Sequence, residues 1–114
     1  MASAKFPLTV AEKHKILFTN SEPPAELSAW GSTYEKAGNL HDALEFYQAA
    51  GDKPAMERLL TVAVESADLL LFLNTCKALG IPPGKGHLQA LQDRARSAGK
   101  AETARKVSLF LVTA

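Results

Sequence analysis

The chain contains few of the residues and apolar stretches that disulfides, metal clusters, membrane spans and secretory signals require. Its 114 residues include one cysteine, Cys76, which excludes an internal disulfide and any cysteine-based metal cluster. The longest apolar run, 69–73, is far shorter than the roughly 20 residues that span a bilayer. The first 15 residues contain no long apolar stretch, so we expect no secretory signal and no membrane partner. A cytoplasmic protein is the default expectation.

Patterns typical of catalytic and ligand-binding sites are also scarce. The three histidines fall in different predicted helices, without the paired spacing that binds a metal. The glycine-containing loop at 82–87 has neither the spacing nor the preceding strand of a phosphate-binding P-loop. The basic C-terminal segment lacks the aromatic residues usual in nucleic-acid-binding surfaces. We therefore expect no enzyme activity, no cofactor, no metal and no nucleic-acid partner. Cys76 lies on an apolar helical stripe, which predicts a buried, inert thiol.

Charge is distributed unevenly along the chain. Residues 20–70 contain nine acids and three bases, whereas residues 77–106 contain seven bases and two acids. Solvated helix faces account for most such patterns, but the asymmetry also favours head-to-tail contacts or acidic partners.

Apolar residues recur at spacings of three and four, and period-2 alternation is absent, which predicts an all-α fold. Thr9 and Glu12 form a capping box, and Gly38 has the position of a left-handed helix terminus. Asn39 and Ser66 are predicted N-caps. These signals predict seven helices, near 9–19, 23–37, 40–50, 53–65, 67–79, 87–98 and 100–112. The short connections favour antiparallel hairpins.

An eight-position pattern of apolar and small residues, with Gln92 and Ser108 as exceptions, occurs three times, at offsets of 29 and 32 residues. Its first four positions share one stripe of a first helix, and its last three share one stripe of a second. The frames are Leu27, Trp30, Gly31, Tyr34, Gly38, Ala43, Tyr47 and Ala50; Met56, Leu59, Leu60, Ala63, Ala67, Phe72, Cys76 and Leu79; and Leu88, Leu91, Gln92, Ala95, Gly99, Ala104, Ser108 and Leu111. They predict repeat units of about 23–50, 53–79 and 86–112 within a single domain, 1–114.

Gly31 interrupts a predicted helix, where glycine costs about 1 kcal/mol relative to alanine. We therefore expect a packing reason for it. Gly31 and Ala43 would let two helix backbones approach closely, with Tyr34 and Tyr47 filling the volume around that approach.

Residues 27–50 resemble a tetratricopeptide repeat: a large residue, a Gly, a Tyr, a turn Gly, then Ala, an aromatic and Ala. Leu27 stands where the family usually has Trp, and the 29-residue offset is shorter than the family's period of about 34. The second frame lacks the Gly and the Tyr. The resemblance implies a right-handed α-solenoid of one N-terminal cap helix and three helical hairpins. Other helical-hairpin solenoids, including the clathrin-like kind, are also similar.

The resemblance implies a scaffold or adaptor that binds a protein or peptide along a concave face, lined by the first helix of each hairpin. Ser28 and Ser32 occupy the positions of the family's Lys/Asn carboxylate clamp, so chaperone C-termini are not expected as ligands. The groove positions it implies are Ser28, Ser32, Glu35, Glu57, Thr61, Gln89, Asp93 and Arg96.

Two helices are apolar nearly all round. The helix of 69–79 suits a central position covered on both sides. The stretch 107–112 lies in the last helix, where a solenoid normally shows a polar outer face. Either this helix folds back on the body, or another chain covers Leu109, Phe110 and Val112. The second alternative predicts a homo-oligomer or a structural assembly subunit.

Overall fold

The computed structural model describes residues 8–18 and 23–113, and this part of the chain contains seven α-helices and no strand. The predicted all-α class and number of helices are confirmed, with boundaries that differ by at most two residues. The predicted break between the first two helices falls largely on 19–22, outside the described residues. The helices are α1 (Val10–Phe18), α2 (Pro24–Lys36), α3 (Leu40–Ala50), α4 (Lys53–Glu65), α5 (Leu69–Leu79), α6 (Lys85–Ser97) and α7 (Ala101–Thr113).

Helix starts recur at the offsets of the sequence frames. The first helices begin at 24, 53 and 85, and the second helices at 40, 69 and 101, so each start is 29 or 32 residues after its counterpart. In all three frames, the four positions on the first helix are buried. The burial pattern thus has the same spacing as the apolar pattern.

The fifth position of each frame is a left-handed turn residue. Gly38, Ala67 and Gly99 have φ values of 84°, 55° and 74°. After Gly38, the amide of Asn39 donates to the carbonyl of Tyr34 at 2.9 Å, and equivalent bonds follow the other two turns. These are Schellman terminations, which satisfy carbonyls that the end of a helix leaves open.

Local capping explains the starts of α1 and α5. The Thr9 amide donates to Glu12 Oε1 at 3.0 Å, and the Glu12 amide donates to Thr9 Oγ1 at 3.1 Å, so the predicted capping box is confirmed. The predicted cap at Ser66 is wrong. Its hydroxyl donates back to the Val62 carbonyl, and Asp68 caps α5 instead, accepting from the Leu71 amide at 3.0 Å.

The reason for this correction is the turn at Ala67. Because Ala67 takes the left-handed conformation, the helix starts only after Asp68, whose own backbone is extended. Asn39 has the predicted N-cap position of α3, but its side chain makes no capping hydrogen bond. The start of α6 is two residues earlier than predicted, at Lys85.

The chain divides into two compact units, 1–55 and 56–114, here called the N-terminal and C-terminal units. Each is described by itself, and the single-domain organisation over 1–114 stays a prediction. In the N-terminal unit, α2 packs on α3 through three aromatic rings. The Phe46 ring contacts both Trp30 and Tyr34, with ring centroids at 6.1 Å and 5.5 Å, and all three residues are at most 3% exposed. Large aromatic groups dominate the energetics of such a core.

Gly31 has the packing reason that its position predicts. A β-carbon built at residue 31 would lie 2.5 Å from Cε1 of Tyr47, which is closer than real β-carbons come to neighbouring atoms. The ring of Tyr47 therefore rests directly on the α2 backbone and fills the space left at Gly31, as predicted.

Helix α1 is attached to both α2 and α3. The Leu8 amide donates to the Tyr34 hydroxyl at 3.0 Å, and Lys13 forms ion pairs with Asp42 and Glu45 of α3. Burial lowers the pKa of Lys13, but hydrogen bonds to the two carboxylates and their charges outweigh it, so the pKa lies above its ordinary value. Asp42, in the first turn of α3, is thus an anchor for α1.

In the C-terminal unit, α6 and α7 pack through a buried polar residue. The Gln92 side chain is 5% exposed, and its amide donates to the Ala104 carbonyl at 3.2 Å and to Ser108 Oγ at 2.6 Å. Ala67, Ala95 and Ala104 form a buried cluster that joins the α4–α5 turn to α6 and α7. Small side chains let these segments approach closely.

Candidate partner-binding surfaces

The three predicted groove positions of the N-terminal unit lie on α2. Ser28, Ser32 and Glu35 are half-buried, and they alternate with the buried stripe of Leu27, Trp30 and Tyr34 along that helix. They therefore flank the core-facing side of α2, and none of them is a core residue.

Two of these three positions make hydrogen bonds inside the unit. Tyr47 Oη donates to Glu35 Oε1 at 2.7 Å. Ser28 Oγ donates to Asp52 Oδ2 at 2.9 Å, while Oδ1 of the same carboxylate accepts from the Ala55 amide at 3.2 Å. A ligand that bound Glu35 or Ser28 would compete with these hydrogen bonds inside the N-terminal unit.

The bond between Glu35 and Tyr47 was not predicted from the sequence, although a signal for it exists. A buried tyrosine hydroxyl usually finds a polar partner. Glu35 follows Gly31 by four residues, so both lie on one face of α2. A ring that crosses the helix at Gly31 therefore carries its hydroxyl toward position 35.

The groove positions predicted in the C-terminal unit are all exposed. Glu57 and Thr61 lie on α4, and Gln89, Asp93 and Arg96 lie on α6. Gln89 Nε2 donates to Gln92 Oε1 at 3.3 Å and lies 3.5 Å from Asp93 Oδ1, one turn along. These positions offer both charge signs and amide groups to solvent.

The last helix combines a buried and an exposed apolar face. Val107 is fully buried, whereas Leu109, Phe110 and Val112 are 65%, 36% and 84% exposed. The packing of α7 against the rest of the C-terminal unit therefore covers part of the apolar stretch 107–112 but leaves Leu109 and Val112 exposed. On α5, Leu70 is 62% exposed, so the expectation that this helix is covered on both sides is wrong at that residue.

A shallow depression lies between α1 and α3 in the N-terminal unit. Its volume is about 290 Å³, and its lining residues are Leu17, Glu45, Gln48 and Ala49. That volume is at the lower end of the range of small-molecule sites, which starts near 300 Å³. Glu45 and Gln48 contribute polar groups, but most of the lining surface is apolar, which suits a protruding apolar side chain better than a polar metabolite.

The pKa shifts of Cys76 and Glu102 have structural causes, namely burial and a surface ion pair. Cys76 is 3% exposed, and burial raises the pKa of its thiol, which disfavours the reactive thiolate. Arg105 pairs with Glu102 on the surface of α7 and lowers the pKa of that carboxyl. Among the described residues, no cluster of three or more His, Cys, Asp or Glu is arranged to hold a metal ion.

Within the residues that the structure describes, each of the seven helices is too short or too polar to cross a bilayer. Comparison with known proteins yields no matching family model, curated protein or solved structure.

Proposed function

We propose that the protein is a non-enzymatic scaffold that binds a protein or peptide through the first helices of three tetratricopeptide-like hairpins. The hairpins stack as a right-handed solenoid in this proposal, and α2, α4 and α6 line its concave face. The ligand is an extended segment that carries both charge signs, since the groove positions include Glu57, Asp93 and Arg96.

The observation that carries this proposal is the common pattern of the three frames. Helix starts, left-handed turn residues and buried positions recur together at offsets of 29 and 32 residues. A regular repeat of helix pairs is the pattern of solenoid proteins, in which neighbouring repeats cover one another's apolar faces. Such scaffolds bind ligands on the surface that the stacking leaves open.

The polar groups on the first helices are consistent with a binding surface. Thr61, Gln89 and Arg96 are exposed beside buried stripes, so substitutions there leave the core intact. Ser32 is half-buried on α2 and is a better probe than Glu35, because Glu35 accepts a hydrogen bond from Tyr47. A change at Glu35 would disturb α2–α3 packing together with binding.

Affinity purification from the native cell, followed by mass spectrometry, tests the proposal. The bait proteins are the unchanged chain, Ser32→Arg and Thr61→Arg, each checked for helicity and unfolding midpoint. The matched control is Asn74→Arg, which adds the same side chain at an exposed position of α5, a second helix. We expect a partner that both groove variants lose and the control retains.

Partners retained by Ser32→Arg and Thr61→Arg, but lost with Phe110→Glu, would contradict the groove proposal. They would favour a second function, a structural subunit that joins an assembly through α7. The observation that favours this second function is the exposure of Leu109 and Val112, 65% and 84%, on the last helix. Large apolar side chains grouped at one surface are typical of interaction sites.

A further inference from the structure

The exposed apolar residues of α7 are specific to that helix. Counted from the left-handed turn residue of each frame, Leu109 corresponds to Gln48 in α3 and Lys77 in α5, both polar and exposed. Val112 corresponds to Gly51 and Gly80, which end those helices in left-handed turns. Leu109 and Val112 therefore occupy positions that the other second helices leave polar or use for a turn.

The depression on the N-terminal unit has the complementary shape and chemistry. Leu17 and Ala49 provide apolar walls, and its 290 Å³ accommodate one or two aliphatic side chains but not a helix. Glu45 lies at its edge and is half-exposed, with 50% of its side chain accessible. An occupant that combines a protruding aliphatic group with a nearby positive charge fits these features.

The two surfaces also carry opposite charge. Residues 1–55 contain seven acids and five bases, whereas residues 56–114 contain five acids and eight bases. Beside the depression, Asp42 and Glu45 both pair with Lys13, and these three side chains together carry one negative charge. On α7, the exposed residues Arg105 and Lys106 precede the apolar residues by one turn.

From these features we propose that a second copy of this chain is the occupant. Leu109 and Val112 of one copy enter the α1–α3 depression of another, and Lys106 approaches Glu45. The inference rests on the second function proposed above, assembly through α7, and names both the partner and its surface. Such a contact joins two different patches, so it is heterologous and adds copies head to tail unless a ring closes.

Sedimentation velocity over a concentration series tests the inference with purified protein. The unchanged chain is expected to show a sedimentation coefficient that rises with concentration up to about 100 micromolar, where a contact with a Kd near that value is substantially formed. Val112→Glu on α7 and Ala49→Arg in the depression should each abolish this rise. Both positions are exposed, and an arginine at 49 can pair with Glu45 one turn earlier, so folding is retained.

Mixing the two variants gives the decisive measurement. The Val112→Glu chain keeps an intact depression and the Ala49→Arg chain keeps an intact α7, so the mixture should form a 1:1 dimer and nothing larger. The control Leu70→Glu removes an exposed apolar residue of α5, 62% accessible, and should associate like the unchanged chain. High salt should weaken the contact because exposed charges face each other across it.

Two results would overturn the inference. A monomer at all concentrations rules out the second copy as occupant, while leaving α7 available to a different partner. Association that Val112→Glu abolishes and Ala49→Arg leaves unchanged shows a symmetric α7–α7 contact, so that assembly through α7 stands and the depression has no part in it.

Discussion

Gly31 on α2 lies so close to the ring of Tyr47 on α3 that a β-carbon at position 31 would be 2.5 Å from the tyrosine Cε1. The same ring carries the hydroxyl that donates to Glu35, four residues after Gly31. One glycine thus permits both the close approach of two helices and a hydrogen bond between them.

Gly31→Ala should destabilise the protein. Alanine gains about 1 kcal/mol in helix propensity, but overpacking against a buried ring costs about 1–3 kcal/mol and displaces the Tyr47 hydroxyl from Glu35. We expect a net loss of about 1–2 kcal/mol, measured as a lower urea midpoint.

The control for this prediction is Gly86→Ala on α6, where no atom lies within 4 Å of a built β-carbon. It should stabilise by a few tenths to about 1 kcal/mol. In a Tyr47→Leu background, Gly31→Ala should lose most of its cost. An unchanged cost in that background would show that the ring is not the cause.

Ala67→Gly should change stability little, although Ala67 has a φ of 55°. Glycine at position 67 removes the strain of the left-handed conformation, which raises the free energy of unfolding by about 1–2 kcal/mol. Loss of the methyl group, which is buried with Ala95 and Ala104, lowers the free energy of unfolding by about 0.8 kcal/mol. Glycine also gives the unfolded chain more conformational freedom, which lowers the free energy of unfolding by a further ~0.4–1 kcal/mol. These terms nearly cancel, so thermal unfolding should give a midpoint close to that of the unchanged chain.

Gly38→Ala is the contrasting substitution at the corresponding turn. Its φ is 84°, and a β-carbon there meets no atom within 4 Å, so alanine gains no packing. The strain exceeds the gain in unfolded-state entropy, and we expect a loss of about 0.5–1.5 kcal/mol. A gain in stability from Ala67→Gly as large as the loss from Gly38→Ala would contradict the role assigned to the buried Ala67 methyl.

Gln92 and Ser108 should act as a coupled pair. Gln92→Leu removes two hydrogen bonds between α6 and α7 and should cost about 1–2 kcal/mol. Ser108→Ala should cost less in the Gln92→Leu background than alone, with a coupling of about 0.5–1 kcal/mol. The control Asn74→Leu, at an exposed position of α5, should stay within about 0.5 kcal/mol. Additive costs would show that the two side chains do not support each other.

Stability should fall at alkaline pH through Cys76. Burial raises the thiol pKa in the folded state, so the folded protein holds this proton more tightly than the unfolded chain does. The contribution is complete below the unfolded thiol pKa, near 8.5, and is lost as pH rises through the folded pKa. Relative to Cys76→Ala, the unchanged chain should lose stability above about pH 8.5, by at most about 1.4 kcal/mol per pH unit. Parallel stability curves of the two proteins over that range would contradict this.

Local signals predicted most of the secondary structure. Three- and four-residue spacing gave the helices, and Gly38 predicted its own left-handed turn because glycine lacks the β-carbon that penalises this conformation. At Ala67 the residue type carries no such signal, and only the register of the frames points to the turn. The cap at Ser66 was therefore wrong by two residues, because the turn moves the helix start beyond Asp68.

Contacts between distant positions could not be read from local patterns. Lys13 reaches Asp42 and Glu45, some 30 residues away, and Tyr47 reaches Glu35 across the α2–α3 turn. Each depends on how two helices rotate about their axes. The predicted groove residues were placed by resemblance, which could not foresee that Glu35 and Ser28 are hydrogen-bonded within the N-terminal unit.

The sequence by itself determined the all-α class, the seven helices, the turn at Gly38 and the buried stripes, because these follow from side-chain period and backbone preference along the chain. Tertiary structure decided which groups come into contact: the Tyr47 ring with Gly31, Lys13 with its two carboxylates, and the buried Gln92 amide with α7. It also decided which half of α7 is exposed. Such pairings depend on the packing of whole helices, where a small rotation moves a side chain from core to solvent, and no local pattern encodes it.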